Sequence, residues 1–370
     1  MTLNRRPRPT SHDRELRLWK VGRALVVTFA AAVLVAGGVF YGLVYLLDFQ
    51  EIDHTAKLDA KTLFDLVKLS FGVVAGAGAL VALVVAYRRQ RVDEAGAYRE
   101  ATRLHTERFS QAVDKLGSDS PAVRLGGVHA LAGLADDAPD DDLRQTCIDV
   151  LCAYLRLPSA PDPGELTASL PAGTSPSEEQ RDTHQNKKDR YRAMREVRHT
   201  ILRLVGDHYR IPAGTHRSWQ GCNLDLTGVT IDGSMNFNDA VFSKGWVTFA
   251  GAVFSGGMVA FGGAVFSGGA VNFSEATFSG SALSFNDAAF SSGSVSFYRA
   301  TFSDGWVHFG EASFSAGIVS FREATFSGGT VNFEGATGLP PIDLLSVASG
   351  ASSSATVTLP PSWLPPNPYS

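Results

Sequence analysis

Residues 237–260 read FNDAVFSKGWVTFAGAVFSGGMVA, and the pattern they set continues to Phe333. From Phe237 the rings fall at Phe242, Phe249, Phe254, Phe261, Phe266, Phe273, Phe278, Phe285, Phe290, Phe297, Phe302, Phe309, Phe314, Phe321, Phe326 and Phe333, with gaps alternating between five and seven. The pattern therefore returns at every twelfth position. Ala keeps the same register from Ala240 to Ala336, and an aliphatic residue keeps it from Val247 to Val331. Gly recurs from Gly245 to Gly329, with Ser281 the one departure.

The unit decomposes into Ala-x-Phe-Ser-x, a Gly-x insert, and Val-x-Phe-x-x. In each five-residue piece a small or branched apolar residue stands two before a Phe, so both side chains lie on one face of a short extended segment. Gly and Ser follow the Phe, where the chain is expected to turn. A helix is excluded, because residues five apart would sit roughly 140° from each other around its axis. Short extended faces wound into a coil, each coil stacked on the last, account for the pattern and place Phe on Phe and Ala on Ala. Phe242 to Phe326 are the expected structural core. Two units make one coil, which gives four coils plus roughly one from Asn223 to Asn236.

The rest of the 370-residue chain is of different character. Lys+Arg is 33 and Asp+Glu is 37, a net charge of −4, which excludes a strongly basic nucleic-acid binder. Three cysteines (Cys147, Cys152, Cys222) exclude a disulfide framework and a four-Cys zinc site. Residues 24–47 and 69–87 carry no charge, and each is long enough for a membrane span of ~20 residues. Seven Lys/Arg precede the first run and Arg88, Arg89 and Arg91 follow the second, whereas the 48–68 connector is mostly acidic. Basic flanks remain cytoplasmic. The expectation is a plasma (inner) membrane protein with a two-helix transmembrane hairpin, both termini cytoplasmic, a basic tail over 1–23 and an extracytoplasmic connector. Gly38/Gly42 and Gly72/Gly76 permit close helix packing, either within the hairpin or in a homo-oligomer.

Residues 88–156 read as a helical region. Tyr98, Ala101, Leu104, His105, Phe109, Val113 and Leu116 recur at three and four, and Gly117 to Pro121 ends one helix and begins another. The helices over 121–135 and 139–156 resemble one unit of a HEAT or armadillo repeat, and Gly126-Gly127 would permit a close crossing. Residues 157–185 are Pro-, Ser- and Thr-rich and read as a flexible linker. Residues 186–220 read as a capping helix and lead-in, 221–337 as the coil, and 338–370 as a loose Pro/Ser-rich tail from which Leu344, Leu345, Trp363 and Leu364 could fold back.

The Ala-x-Phe-x-x and Val-x-Phe-x-x pieces resemble pentapeptide repeats, over the stretch from Asn223 to Thr337. That resemblance implies a C-terminal right-handed quadrilateral β-helix, in a multidomain α + β chain, with Phe242, Phe254 and their equivalents as central inward residues. The Gly-x insert departs from the family pattern and would widen two corners of each coil. Ser218-Trp219-Gln220-Gly221 and Arg124-Leu125-Gly126-Gly127 also look like segments of membrane-anchored bacterial members of that family.

No Gly-rich phosphate loop, Ser/His/Asp set or His-Glu-x-x-His occurs, so the reading is non-enzymatic, without catalytic residues or cofactor. His199, His208 and His216, spaced by nine and eight, fit no compact metal-ligand motif. The expected function is a membrane-tethered scaffold for protein–protein interaction with an unidentified protein partner. The alternative is mimicry of DNA toward a protein such as DNA gyrase, which some pentapeptide-repeat proteins protect. Residues 223–337 carry nine acids against three bases, well below the about fifteen charges of duplex DNA over a ~25 Å rod. Nucleic acid itself is not an expected partner.

Overall fold

The computed structural model describes residues 60–166 and 176–364, together with isolated helical positions between 27 and 45. The chain divides into two compact units, Met1–Arg99 and Glu100–Ser370. Helix α1 (Ala60–Leu116) runs unbroken for 57 residues. The apolar segment over 69–87 lies within it, and the helical periodicity over 92–116 is its continuation. Among the described residues this is the one helix long and apolar enough to cross a membrane. The two-helix hairpin expected from sequence is therefore not seen: most of 24–47, and all of 1–23 and 48–59, lie outside the described residues. Among the described residues its apolar side chains are largely uncovered, Leu80 and Leu83 each being 66% exposed.

In the second unit, α2 (Pro121–Asp136) begins with Pro at the first turn, and α3 (Asp141–Arg156) is capped by the Asp140 carboxylate, which accepts the Leu143 N–H at 2.8 Å. Gly127 is where α2 meets the end of α1. A Cβ there would stand 2.6 Å from the Leu116 nitrogen, whereas Gly126 faces open space. Helix α4 (Glu178–Tyr209) starts well before the expected boundary at 186. Ser177 and Gln180 form a capping box, satisfying two orphan N–H groups at a point that composition alone assigns to the linker.

From Leu224 the chain winds into a β-solenoid of about six turns with four faces, every strand pair parallel. Face one stacks Leu224–Asp225, Trp246–Thr248, Ala270–Asn272, Ser294–Ser296 and Ile318–Ser320. Face two holds Thr230–Ile231, Val253–Phe254, 277–278, 301–302 and Thr325–Phe326. Face three holds Met235–Asn236, Met258–Ala260, 282–284, 306–308 and 330–332. Face four runs from Val241–Phe242 to Thr337–Gly338. Val247 pairs with Val271 and Phe266 with Phe290, so one turn of the solenoid consumes two sequence units.

Two of the four corners in each turn are closed turns at the constant Ala. Ala240 N–H donates to the Phe237 carbonyl at 3.1 Å, and the bond recurs in every sequence unit through Ala336. The third residue of each such four-residue turn is left-handed: Asp239, Gly251, Gly263, Glu275, Asp287, Arg299, Glu311, Glu323 and Gly335. A closed turn with positive φ at its third residue has the type II form. The other two corners fall at the Gly-x insert, between faces two and three and between faces four and one, as the sequence suggested. At two of the inserts the strands, Thr277–Ser284 and Thr301–His308, are continuous across the corner, joining faces two and three with an irregular register between Phe278 and Ala282.

Over the described residues the tail folds back on the last turn. Ala355–Thr358 pairs in parallel with Gly329–Asn332, adding a sixth strand to face three. A short helix, α5 (Leu344–Ser349), buries Leu344, and Trp363 is buried, while Leu345 and Leu364 stay exposed.

Candidate functional site

Every Phe from Phe242 to Phe326 is buried, none more than 5% exposed. The rings form four columns, each ring lying over its copy from the preceding turn. Phe261, Phe285 and Phe309 stack at 4.8 Å with planes 5–6° apart, and Phe249, Phe273 and Phe297 at 5.0 Å. The two columns meet edge to face, as Phe285 against Phe273 at 90° and against Phe297 at 86°. Offset and perpendicular ring pairs are the favourable geometries for their quadrupoles. The centre of the coil is thus filled with hydrocarbon side chains.

Both ends of this stack are closed by an aromatic side chain. Tyr209, at the end of α4, lies 5.6 Å from Phe237 and from Phe242, and its hydroxyl donates to the Cys222 carbonyl. Trp363 lies 5.7 Å from Phe314 and 5.6 Å from Phe333, donating to the Gly338 carbonyl at 2.8 Å. The first strand's edge is covered from α3: Gln145 donates to the Asn223 carbonyl and accepts the Asn223 N–H, each at 2.8 Å. Such cover removes an edge that would otherwise pair with another chain.

Trp219 belongs to a polar cluster between α2, α4 and the lead-in. It stacks on His208 at 4.3 Å and donates to Asp136 Oδ1 at 3.1 Å. Asp136 Oδ2 also accepts Arg217 Nε at 2.9 Å and faces His208 Nε2 at 3.3 Å. Burial raises the Asp136 pKa, but hydrogen bonds from His208, Arg217 and Trp219 outweigh it and hold the carboxyl below its ordinary value. Burial lowers the His208 pKa, yet Asp136 and the Leu204 carbonyl hold the imidazole above its ordinary value. The cluster is an ion pair that clamps helices to coil.

The histidines singled out in the sequence do not converge. His199 pairs with Asp232 at 2.9 Å, His208 with Asp136, and His216 with Asp137 at 3.4 Å. Among the described residues no group of three metal-ligating side chains is found. Burial pushes the Cys147 thiol up to about 11 and the Cys152 thiol up to about 12, so neither is a thiolate near neutral pH.

What remains is the outer surface. Trp246 and Ile318 stand out from face one, 44% and 57% exposed. Met258 and Trp306 stand out from face three, 50% and 61% exposed. All four occupy the residue after the insert Gly, a position filled elsewhere by Ala270, Ala282, Ser294 and Thr330. Reading the repeat for its constant positions passed over them, although their fixed offset marks them in the sequence.

A four-faced parallel solenoid capped by helices defines the class of the protein. Within it, residues 261–313 match the family model described as pentapeptide repeats (9 copies), which supports reading the chain as a pentapeptide-repeat protein. No curated protein and no solved structure matches the chain.

Proposed function

We propose that the chain is a non-enzymatic scaffold that binds a protein partner on the outer faces of its coil, and that it is tethered to the inner face of the bacterial plasma membrane. The exposed pair Met258 and Trp306, on one flat face of a rigid sheet, is the observation that carries the binding role. Large apolar side chains on an ordered surface are characteristic of protein contact sites. The tether is supported by the apolar helix α1 and by the basic residues Arg88, Arg89 and Arg91 that follow its uncharged stretch. A second span over 24–47 and cytoplasmic termini complete the proposal.

Crosslinking in intact cells followed by mass spectrometry tests it. A reproducible partner that is lost on Trp306→Ser supports the scaffold; the same recovery from Trp306→Ser, or no reproducible partner, contradicts it.

The second reading is DNA mimicry, favoured by the corner column that holds Asp239, Asp287 and Glu311. In the other left-handed corner column Arg299 pairs with Glu323 at 2.8 Å, which dilutes the negative charge. Inhibition of DNA gyrase by micromolar protein would favour this reading over the scaffold.

A further inference from the structure

A cleft of about 830 Å³ opens between the helices and the first turns of the coil. One wall is α4. Lys187, Arg190, Tyr191, Met194, Arg195 and Arg198 all line the cleft, and at 100° per residue they fall within an arc of about 140°. Arg124 of α2 and Tyr154 of α3 close the second side, the Leu157–Pro163 segment the third, and Asp232 lies at the coil.

The charges in this cleft do not balance. Five cations face two carboxylates, Asp162 and Asp232. Asp232 is already shared, accepting Arg195 Nε at 2.5 Å on one oxygen and meeting His199 Nε2 at 2.9 Å on the other. Asp162 accepts the Gly164 N–H at 2.9 Å. Arg190 has only an exposed pairing with Asp119 at 3.9 Å, of the kind that contributes little. Among the described residues, Arg124, Lys187 and Arg198 have no carboxylate within salt-bridge distance. Arg124 is fixed instead by the Ser118 carbonyl and the Tyr154 hydroxyl. Arg198 is half-buried, and burial pulls its guanidinium below its ordinary value. The nearby Asp232 charge, already shared with Arg195 and His199, offsets that burial only in part, and a half-buried cation with no carboxylate in contact is costly unless an anion joins it. A solvated basic helix face would leave its cations in water and would not enclose a cavity.

We propose that this cleft binds a soluble phosphorylated small molecule of nucleotide size, its phosphates held by Arg198, Lys187 and Arg124. Guanidinium groups match phosphate oxygens in pairs, and Lys adds a point charge. The volume lies within the ~300–1,000 Å³ of small-molecule sites. Tyr191, Met194 and Leu157 supply an apolar wall for the rest of the ligand. The lining includes none of the exposed apolar residues Trp246, Met258, Trp306 and Ile318, so ligand binding here is read independently of partner binding there.

The test is calorimetric titration of the full chain in non-ionic detergent with pyrophosphate, with ADP, and with sulfate as a control for bare charge. Saturable binding of pyrophosphate or ADP, clearly tighter than sulfate, is expected. Arg198→Gln should weaken it about tenfold or more, as expected for loss of a charged hydrogen-bonding group. Lys187→Gln, at an exposed position, should weaken it about threefold without moving the unfolding midpoint, which keeps the test valid if the Arg198 variant folds poorly. Absence of saturable binding at millimolar ligand, binding no tighter than sulfate, or equal binding by the Lys187 variant would overturn the proposal. So would retention only on phosphatidylglycerol vesicles.

Discussion

Phe309 and Phe333 lie ring on ring, 4.5 Å between centroids and 2° between planes, although a full turn of the solenoid separates them along the chain. The same relation holds at Phe285 and Phe309, so each ring is buried between copies of itself. The coil's stability should therefore depend on mid-column rings. Phe285→Ala removes a ring with neighbours above, below and on both sides, and should cost about 3–5 kcal/mol, whereas Phe285→Leu should cost less than half as much. Chemical denaturation of the two variants checks this; equal losses would show that ring contacts are not what holds the turns together.

The two glycines of α2 should respond in opposite directions. Gly127→Ala places a methyl 2.6 Å from backbone of α1 and should destabilise by about 1–3 kcal/mol or more. Gly126→Ala has nothing within 4 Å and should stabilise by about 1 kcal/mol through helix propensity. Thermal unfolding distinguishes them, and a stable Gly127→Ala protein would contradict the close crossing.

Glu275 sits exposed at a left-handed corner with φ of 60°, a conformation that costs a non-Gly residue roughly 1–2 kcal/mol. Glu275→Gly should raise the unfolding free energy by about 1 kcal/mol, opposite to the usual effect of adding glycine. A loss of stability would mean that the corner is not left-handed in solution.

The Asp136–His208 pair gives stability a pH dependence on both sides. The contribution of His208, whose pKa is raised on folding, is complete below about pH 6.5 and is lost as pH rises through its higher folded value. The contribution of Asp136, whose pKa is lowered, is complete above about pH 3.9 and is lost as pH falls through its lower folded value. The pair therefore stabilises most between about pH 4 and 6.5. His208→Gln should flatten the decline above about pH 6.5 in denaturant titrations; an unchanged decline would place the titrating group elsewhere.

The two-unit turn and the inward Phe positions were legible because identity and spacing are both fixed there. The left-handed corners beside the constant Ala were not. Asp239, Gly251, Glu275 and Arg299 occupy the same left-handed position yet share no chemistry, so no pattern marks them. Gly245 and its equivalents do mark the other two corners, although Ser281 holds that place inside a continuous strand. The start of α4 was hidden because Ser177 and Gln180 act as a cap while resembling linker composition. Ala355–Thr358 was hidden because four residues between Ser and Pro runs carry too little alternation to stand out, and it is the open edge of Gly329–Asn332 that makes them a strand. The exposed Trp246, Met258, Trp306 and Ile318 were visible in the sequence, but only as variation within a repeat read for its constants.

The register of the coil is tested most directly by paired cysteines. Ser294 and Ile318 are strand partners on face one, one inter-strand spacing of about 4.8 Å apart, within reach of a disulfide. Ser294 and Trp306, half a turn apart along the chain, lie on faces one and three. On oxidation, Ser294→Cys with Ile318→Cys should crosslink nearly completely, and Ser294→Cys with Trp306→Cys should not. Crosslinking of the second pair in preference to the first would contradict a turn built from two sequence units and, with it, the stacked solenoid.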